Sequence, residues 1–414
     1  MSIKDVICNM LSKNNTENKK VYEFKINWFL LKTFICSALH TSLISCVMIP
    51  YVKHLGMLPM QISIIITSKR IIRIFGDAFF GLFFDRFGAK KLFIVGRIMK
   101  LCCYFLLLQH TSFWWLCLTM IVYGLSEGTV QGKVSSFIYN NLKANDSIKK
   151  FPKAMSLYYL FIDGHLALMK FLTGMLLGKY GYNIIIHASI IMNIVSIILI
   201  IILIPNNQEN NLQQFISHSF KDVISKLLFI LKQDRIILHI MIVYGILVFF
   251  AWQFGSIASM VLLDMGMSDV NITFVGGTMN ICMIVGTIMS LIFFQRSVSL
   301  KKVCLLLCFI LLFGTITMLL YNMYLFCIFM AIVDLCYVVC EVALERNLEF
   351  FSDKHIRGTA ISLALITSNL VASVANLLIG FIAQIATYKV ALNSIMLMIL
   401  LSLIFFARKI VIKK

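Results

Sequence analysis

Charge is scarce in this chain. Only 13% of its 414 residues are charged, against 60% that are apolar. No soluble domain covers itself with so little polar surface, so composition excludes a water-soluble fold and points to a polytopic membrane protein. Proline is almost missing too. Four prolines beside 34 phenylalanines fit long lipid-facing helices better than loops. Acid is the scarcer sign, with 18 Asp and Glu against 37 Lys and Arg and a net charge of +19. A multispanning chain acquires such an excess from the positional bias of its cations, and no basic soluble domain is present to bind nucleic acid. The first 26 residues are polar and basic and lack an apolar core, so no cleavable signal peptide is expected.

Chemistry-bearing motifs are equally sparse. There is no G-x-x-x-x-G-K-S/T loop, which argues against direct ATP drive, and no H-E-x-x-H. Of the 12 cysteines, all but Cys8 lie in apolar runs. Pairs such as Cys304/Cys308 and Cys336/Cys340 have no flanking His or acidic ligands. They read as small buried hydrophobes. Neither metal nor cofactor is expected, and the chain does not read as an enzyme.

What the chain has is long apolar runs. A crossing of about 30 Å of hydrocarbon needs roughly 20 residues. Such stretches occur near 28–50, 60–84, 91–109, 113–140, 155–177, 183–204, 236–262, 268–294, 302–320, 324–346, 358–385 and 389–407. This predicts an all-α protein of twelve transmembrane helices in two six-helix bundles, 27–204 and 235–407. A polar linker at 205–234 joins them, and tails at 1–26 and 408–414 flank them. With the N-terminus inside, most Lys and Arg fall in cytoplasmic segments (Lys19, Lys20, Lys25, Lys149, Lys150, Lys153, Arg408, Lys409), and Lys53, Lys179 and Lys389 are left outside. That bias predicts both termini on the cytoplasmic side. An internal echo supports two halves: Phe83-Phe84-Asp85-Arg86 then Lys90-Lys91 returns 210 residues later as Phe293-Phe294-Gln295-Arg296 then Lys301-Lys302.

The run Gly81-Leu-Phe-Phe-Asp85-Arg86-Phe-Gly88-Ala-Lys90-Lys91 resembles the signature loop (G-x-x-x-D-R-x-G-x-K/R-K/R) of the major facilitator superfamily of transporters, which joins their second and third membrane helices. The resemblance implies that Asp85 is a latch acid holding a cytoplasmic gate, with Arg86, Lys90 and Lys91 as its basic neighbours. It also implies that Gly81 and Gly88 allow close packing and the turn, and that Arg357, opening the eleventh span, is a partner across the interface. The echo has lost its acid (Gln295), so the stronger latch is expected in the N-terminal half. Around Tyr123-Gly124-Leu125-Ser126-Glu127-Gly128 there is a looser likeness to a bacterial subgroup of the same family. The fourth span lacks an early Arg, and the fifth has Gly174 and Gly178 without G-x-x-x-G-P. Both absences weigh against drug–proton antiport.

Charges at bilayer depth are costly, so each needs a partner, a wet cavity or a role. The N-terminal half holds Lys32, Lys69, Arg70, Arg73, Arg97, Lys100, Lys133 and Lys170. Lys69, Arg73, Lys170 and His40 are the candidate solute-binding residues, since a guanidinium fork suits carboxylate or phosphate. Pairing offers the opposing explanation: Arg73 with Asp77, Lys170 with Asp163, and Lys133 and Lys100 with Glu127 or interfacial water. Lys32, Arg97 and Lys133 lie close enough to snorkel to the cytoplasmic face. The glycines at 124, 128 and 132 read as a close helix contact. Burial disfavours an ionised carboxylate, which makes Glu127, Asp163, Asp334 and Glu341 the candidate proton carriers.

The expectation is a secondary transporter for a small polar solute, anionic or zwitterionic, with a proton as the candidate coupling ion, acting as a monomer in the cell (inner) membrane. Heavy use of Ile, Lys and Asn suggests a bacterial source. The alternatives are a drug or metabolite efflux permease and a non-transporting membrane scaffold or sensor.

Overall fold

The computed structural model describes residues 27–109, 112–130, 133–144, 147, 150–204, 255, 257–293, 322–351 and 357–411, with 306, 309–310, 312–316 and 319–320 between them. Side chains are described in these ranges except at 78, 81–87, 136, 140, 143–144, 152, 290–293, 339–351, 357–368 and 402–411. The expected linker at 205–234, the tail at 1–26 and the Gln295-Arg296 echo lie outside the described residues.

Every described element is a helix: α1 (27–38), α2 (Leu43–His54), α3 (Pro59–Phe87), α4 (Ala89–Gln109), α5 (Phe113–Gly128), α6 (Lys133–Ala144), α7 (Phe151–Leu203), α8 (257–264), α9 (Asp269–Phe293), α10 (Met323–Phe351), α11 (Arg357–Ile385) and α12 (Tyr388–Val411). Glycines in the left-handed region end helices where the chain must reverse at once. Gly56 (φ 79°) follows α2, Gly88 (φ 82°) separates α3 from α4, and Gly266 (φ 88°) follows α8. Gly181 (φ 72°) breaks α7, a 53-residue run, close to the expected boundary between 155–177 and 183–204.

Among the described residues, five helical stretches are long and apolar enough to cross a bilayer: Asn27–His54, Ala89–Gln109, Phe113–Tyr139, Lys153–Leu203 and Asp269–Met289. Shorter apolar helices follow at Met323–Val338, Asn369–Ile385 and Tyr388–Leu401. α3 has the length, at 29 residues, but Lys69, Arg70, Arg73 and Asp77 run through its middle. A helix that buries this much charge is addressed to the protein interior and not to lipid.

The first apolar stretch is not the unbroken helix its sequence suggested. It is interrupted at 39–42, and side chains from α4 and α7 take up the polar groups this exposes. Arg97 Nη2 donates to Cys36 O at 2.6 Å, Lys100 Nζ donates to His40 O, and Tyr104 donates its hydroxyl to Ser42 Oγ. On the other side of the break, Ile44 N donates to Ser189 Oγ at 3.0 Å and Thr173 Oγ1 donates to Leu43 O at 3.3 Å. Cations on the last carbonyls of α1 also oppose the negative end of its dipole. Arg97 and Lys100 are each 1% exposed, so Arg97 does not snorkel as expected. Its guanidinium is consumed in closing a broken helix.

Helix packing divides into two cores. A large one joins α2, α4, α5 and α7 to α8–α12 through residues such as Ile44, Tyr104, Met120, Val261, Phe326 and Met396. A smaller one packs Leu30 and Phe34 of α1 against Phe93, Ile138, Leu142 and Ile200. Between α1–α7 and α8–α12 the broadest packing is α7 on α9 and α3 on α11.

Candidate functional site

Arg73 occupies the central position of α3, and glycine brings α5 against it. An ideal Cβ on Gly124 would lie 2.3 Å from Lys69 O, and one on Gly128 would lie 2.8 Å from Gly76 C. Only a residue without a side chain fits either position. The two backbones therefore touch along a stretch that carries Lys69, Arg73 and Asp77 on one helix and Glu127 on the other. Gly132, the third glycine of that spacing, lies outside the described residues.

Close approach turns these charges into a ladder. Lys69 Nζ is 2.9 Å from Glu127 Oε1, and Arg73 Nη1 is 3.5 Å from Glu127 Oε2. Arg73 Nε is 4.0 Å from Asp77 Oδ2, and Lys133 Nζ, from α6, is 3.2 Å from Asp77 Oδ1. The Lys133 ammonium also donates to Asp77 O at 2.9 Å. Lys69 and Lys100 both direct their ammonium groups at the Tyr123 ring, 4.4 and 4.8 Å from its centroid. The side chains of Arg73, Glu127 and Lys69 keep 12%, 17% and 28% of their surface, so the middle of the ladder is lined but not sealed. Glu127, expected as a proton carrier, is held between two cations. Lys133 pairs with Asp77 and not with Glu127.

His40 lies in the break of the first helix, where Arg97 Nη1 meets its Nδ1. Its Nε2, and that of His165 on α7, are buried without a hydrogen-bond partner among the described residues. Lys170 departs most from expectation. Its ammonium donates to Gly276 O of α9 at 3.1 Å, reaching across to the C-terminal helices instead of along α7 to Asp163. Asp334 of α10 is buried at 9% exposed. Among the described residues neither Asp163 nor Asp334 has a cation within 4.0 Å. Glu341 lies on α10, with its side chain outside the described set.

The 81–91 run is the end of α3, a one-residue turn at Gly88 and the start of α4. Lys90 donates to Ile201 O near the end of α7 at 2.7 Å, and Lys91 is exposed. The side chains of Asp85, Arg86 and Arg357 lie outside the described residues, as does any contact of Gly81, and the latch expected between them lies outside with them. A family model of the Major Facilitator Superfamily matches residues 30–299, about two thirds of the chain. The chain belongs to the Major Facilitator Superfamily.

Solved transporters share its fold. The nucleoside transporter NupG superposes with a TM-score of 0.69 at 14% identity, over 93% of this chain and 97% of that one. The D-xylose-proton symporter gives 0.65 at 12%, over 91% and 96%. A bacterial homologue of the human lysosomal transporter Spinster, inward-facing and unoccupied, gives 0.68 at 12%, over 94% and 95%. No curated protein matches the chain in sequence. At such identities the likeness speaks for the fold: this major facilitator protein is an all-helical, multi-pass membrane protein with a transporter's architecture.

Sequence reasoning missed three of the contacts above, namely Arg97 and Lys100 on the broken helix, Lys133 on Asp77, and Lys170 on Gly276. The spacing of Arg97, Lys100 and Tyr104 along one face of α4 was the available signal for the first. Nothing local marked the other two.

Proposed function

We propose that this chain is a secondary active transporter. It moves a small polar solute, anionic or zwitterionic, across the cell (inner) membrane by alternating access. In this reading twelve spans form two six-helix bundles, 27–204 and 235–407, joined by the cytoplasmic segment 205–234, with both termini cytoplasmic. The chain works as a monomer, and a proton accompanies the solute as in a symporter. Membership of a transporter superfamily and the 210-residue echo support the architecture.

One observation carries the solute class: Arg73, at the centre of α3, keeps partly open surface beside Lys69, which holds the same carboxylate, while Lys100 and Arg97 add two buried cations on α4. A site at the middle of the bundle with cations of this density attracts anions, and the arginine fork can bind a carboxylate in two parallel bonds. Asp334 and Asp163 are the favoured proton carriers, since neither is tied to a cation within 4.0 Å among the described residues. Glu127, held by Lys69 and Arg73, serves as a standing counter-ion instead.

The ladder also favours a second reading, in which Lys69, Arg73 and Lys133 are engaged with Glu127 and Asp77 and the basic set is structural. Flux separates the two. Purified protein in liposomes, with a panel of organic anions, amino acids and sugar phosphates under an imposed pH gradient, is expected to take up an anion or zwitterion. Arg73→Gln and Lys170→Gln should each abolish that uptake while the protein remains folded. Normal uptake by both variants would make the basic set structural.

A further inference from the structure

Two charges of opposite sign face each other across the seam between α1–α7 and α8–α12 without pairing. Lys170 of α7 is the cation. Its end lies along Gly276 of α9, where an added Cβ would be 3.2 Å from Lys170 Cδ and 3.3 Å from Nζ, and its ammonium donates to Gly276 O at 3.1 Å. An ammonium has three N–H donors, and one is used here. Asp334 of α10 is the anion, 9% exposed. The packing of α9 on α10 brings it to the lysine: a Cβ on Gly286 would lie 2.7 Å from the carbonyl oxygen of Leu335, the next residue after Asp334. Lys170 and Asp334 each lie in the other's field, and Asp163 of α7 acts on both. Yet neither acid has a cation within 4.0 Å among the described residues.

That separation has a physical meaning. Opposite charges away from water attract strongly, and a lysine stem is flexible enough to close on a nearby carboxylate. Nearer the surface of the same seam, Lys53 Nζ and Asp264 Oδ1 do close, to 2.7 Å. Lys170 is instead seated on a glycine and tied to an uncharged carbonyl. The two walls therefore hold opposite charges apart, and a ligand carrying both signs completes both at once. A plain anion that meets Lys170 is repelled by Asp334, and a plain cation that meets Asp334 is repelled by Lys170. Lys170 and Asp163 are only partly buried, so the space beside them is not sealed.

We propose that the solute is a small zwitterion of the amino-acid type, held with its carboxylate on the Lys170 ammonium and its own ammonium on Asp334. The proposal rests on the transport reading above and narrows its solute from anion or zwitterion to zwitterion alone. Arg73 and Lys69 add to the field that draws the anionic end toward the N-terminal helices. The site has two acids to one base. A proton on Asp163, one of the two carriers in that reading, leaves Lys170, Asp334 and a bound zwitterion neutral as a set, which low-dielectric surroundings favour.

The test reads binding by the full-length protein in detergent, as the gain in heat survival with ligand concentration. Each α-amino acid of a panel is run beside two near-isosteres: its 2-hydroxy acid, which keeps only the negative charge, and its amide, which keeps only the positive one. At least one amino acid should stabilise the protein, with both of its isosteres weaker by about tenfold or more. Asp334→Asn should bring that amino acid level with or below its hydroxy acid, and Lys170→Gln should bring it level with or below its amide. A variant that merely loosens the fold does not reorder ligands in these two opposite ways. A hydroxy acid or an amide that matches its amino acid on the native chain overturns the proposal. So does an Asp334→Asn variant that keeps the tenfold preference, or a panel in which nothing stabilises the native chain. Uptake by liposomes tests the transport reading separately. Hydroxy acids that bind as well as amino acids and are taken up keep the transporter and remove the zwitterion; amino acids that bind in the expected order yet are not taken up keep the site and remove transport.

Discussion

Replacing Gly124 by alanine tests the close contact on which the charge ladder depends. The added Cβ would sit 2.3 Å from Lys69 O and 3.1 Å from Lys69 C, against a backbone that has no rotamer to change. Ordinary contact begins at 3.4 Å, so the helices must part by about 1 Å at this level. Arg73 Nη1, already 3.5 Å from Glu127 Oε2, then leaves hydrogen-bonding range. Two energies oppose each other. Alanine in place of a helical glycine stabilises by about 1 kcal/mol, whereas overpacking a tight interface costs about 1–3 kcal/mol. The contact here is backbone on side chain at its tightest, so overpacking wins. Gly164→Ala supplies the control, because its added Cβ meets only Ile284 Cδ1 at 3.9 Å. In detergent, the fraction of monodisperse protein surviving a graded heat step should fall for Gly124→Ala and hold or rise for Gly164→Ala. Equal survival of the two variants would refute the claim that α3 and α5 touch at Gly124.

Three other perturbations have definite signs. Glu127→Gln and Lys69→Gln together should cost less than the sum of their separate costs, with a coupling of about 1–3 kcal/mol by thermal shift, because each single change strands the other member of the 2.9 Å pair; additive costs would show the two uncoupled. Arg97→Gln should weaken the chain by about 2–3 kcal/mol through the lost charged hydrogen bond to Cys36 O, and hydrogen exchange should quicken at 36–44 more than elsewhere. Gly88→Ala should cost about 1–2 kcal/mol, since a side chain is strained at φ 82°; heat survival matching wild type would show that the turn can relax.

Much of the fold could be read from the chain because lipid imposes a simple rule. Runs such as 91–109 and 268–294 must be helices, and Gly88 inside its polar run must turn. The rest escaped for physical reasons. α1 and α2 form one apolar stretch, and nothing at Leu39-His40-Thr41-Ser42 announces a break. The break survives only because Arg97, Lys100, Thr173 and Ser189, distant in sequence, satisfy its backbone and Tyr104 holds the Ser42 hydroxyl. For the candidate site, spacing along one helix correctly juxtaposed Arg73 and Asp77 but could not see between helices. Lys170 and Asp163 share a face of α7, yet that ammonium donates to a carbonyl of α9. Lys53 read as a stray loop cation, and its partner Asp264 is more than half the chain away.

Arg73 decides the central claim, and one measurement addresses it directly. Full-length protein and Arg73→Gln, reconstituted at equal density and shown to be equally folded, are compared for uptake of labelled organic anions and zwitterions under a pH gradient. Saturable uptake of at least one of them by the native chain, lost in Arg73→Gln, is the expected result. Uptake of none, or undiminished uptake by the variant, would contradict an anion site at the centre of α3.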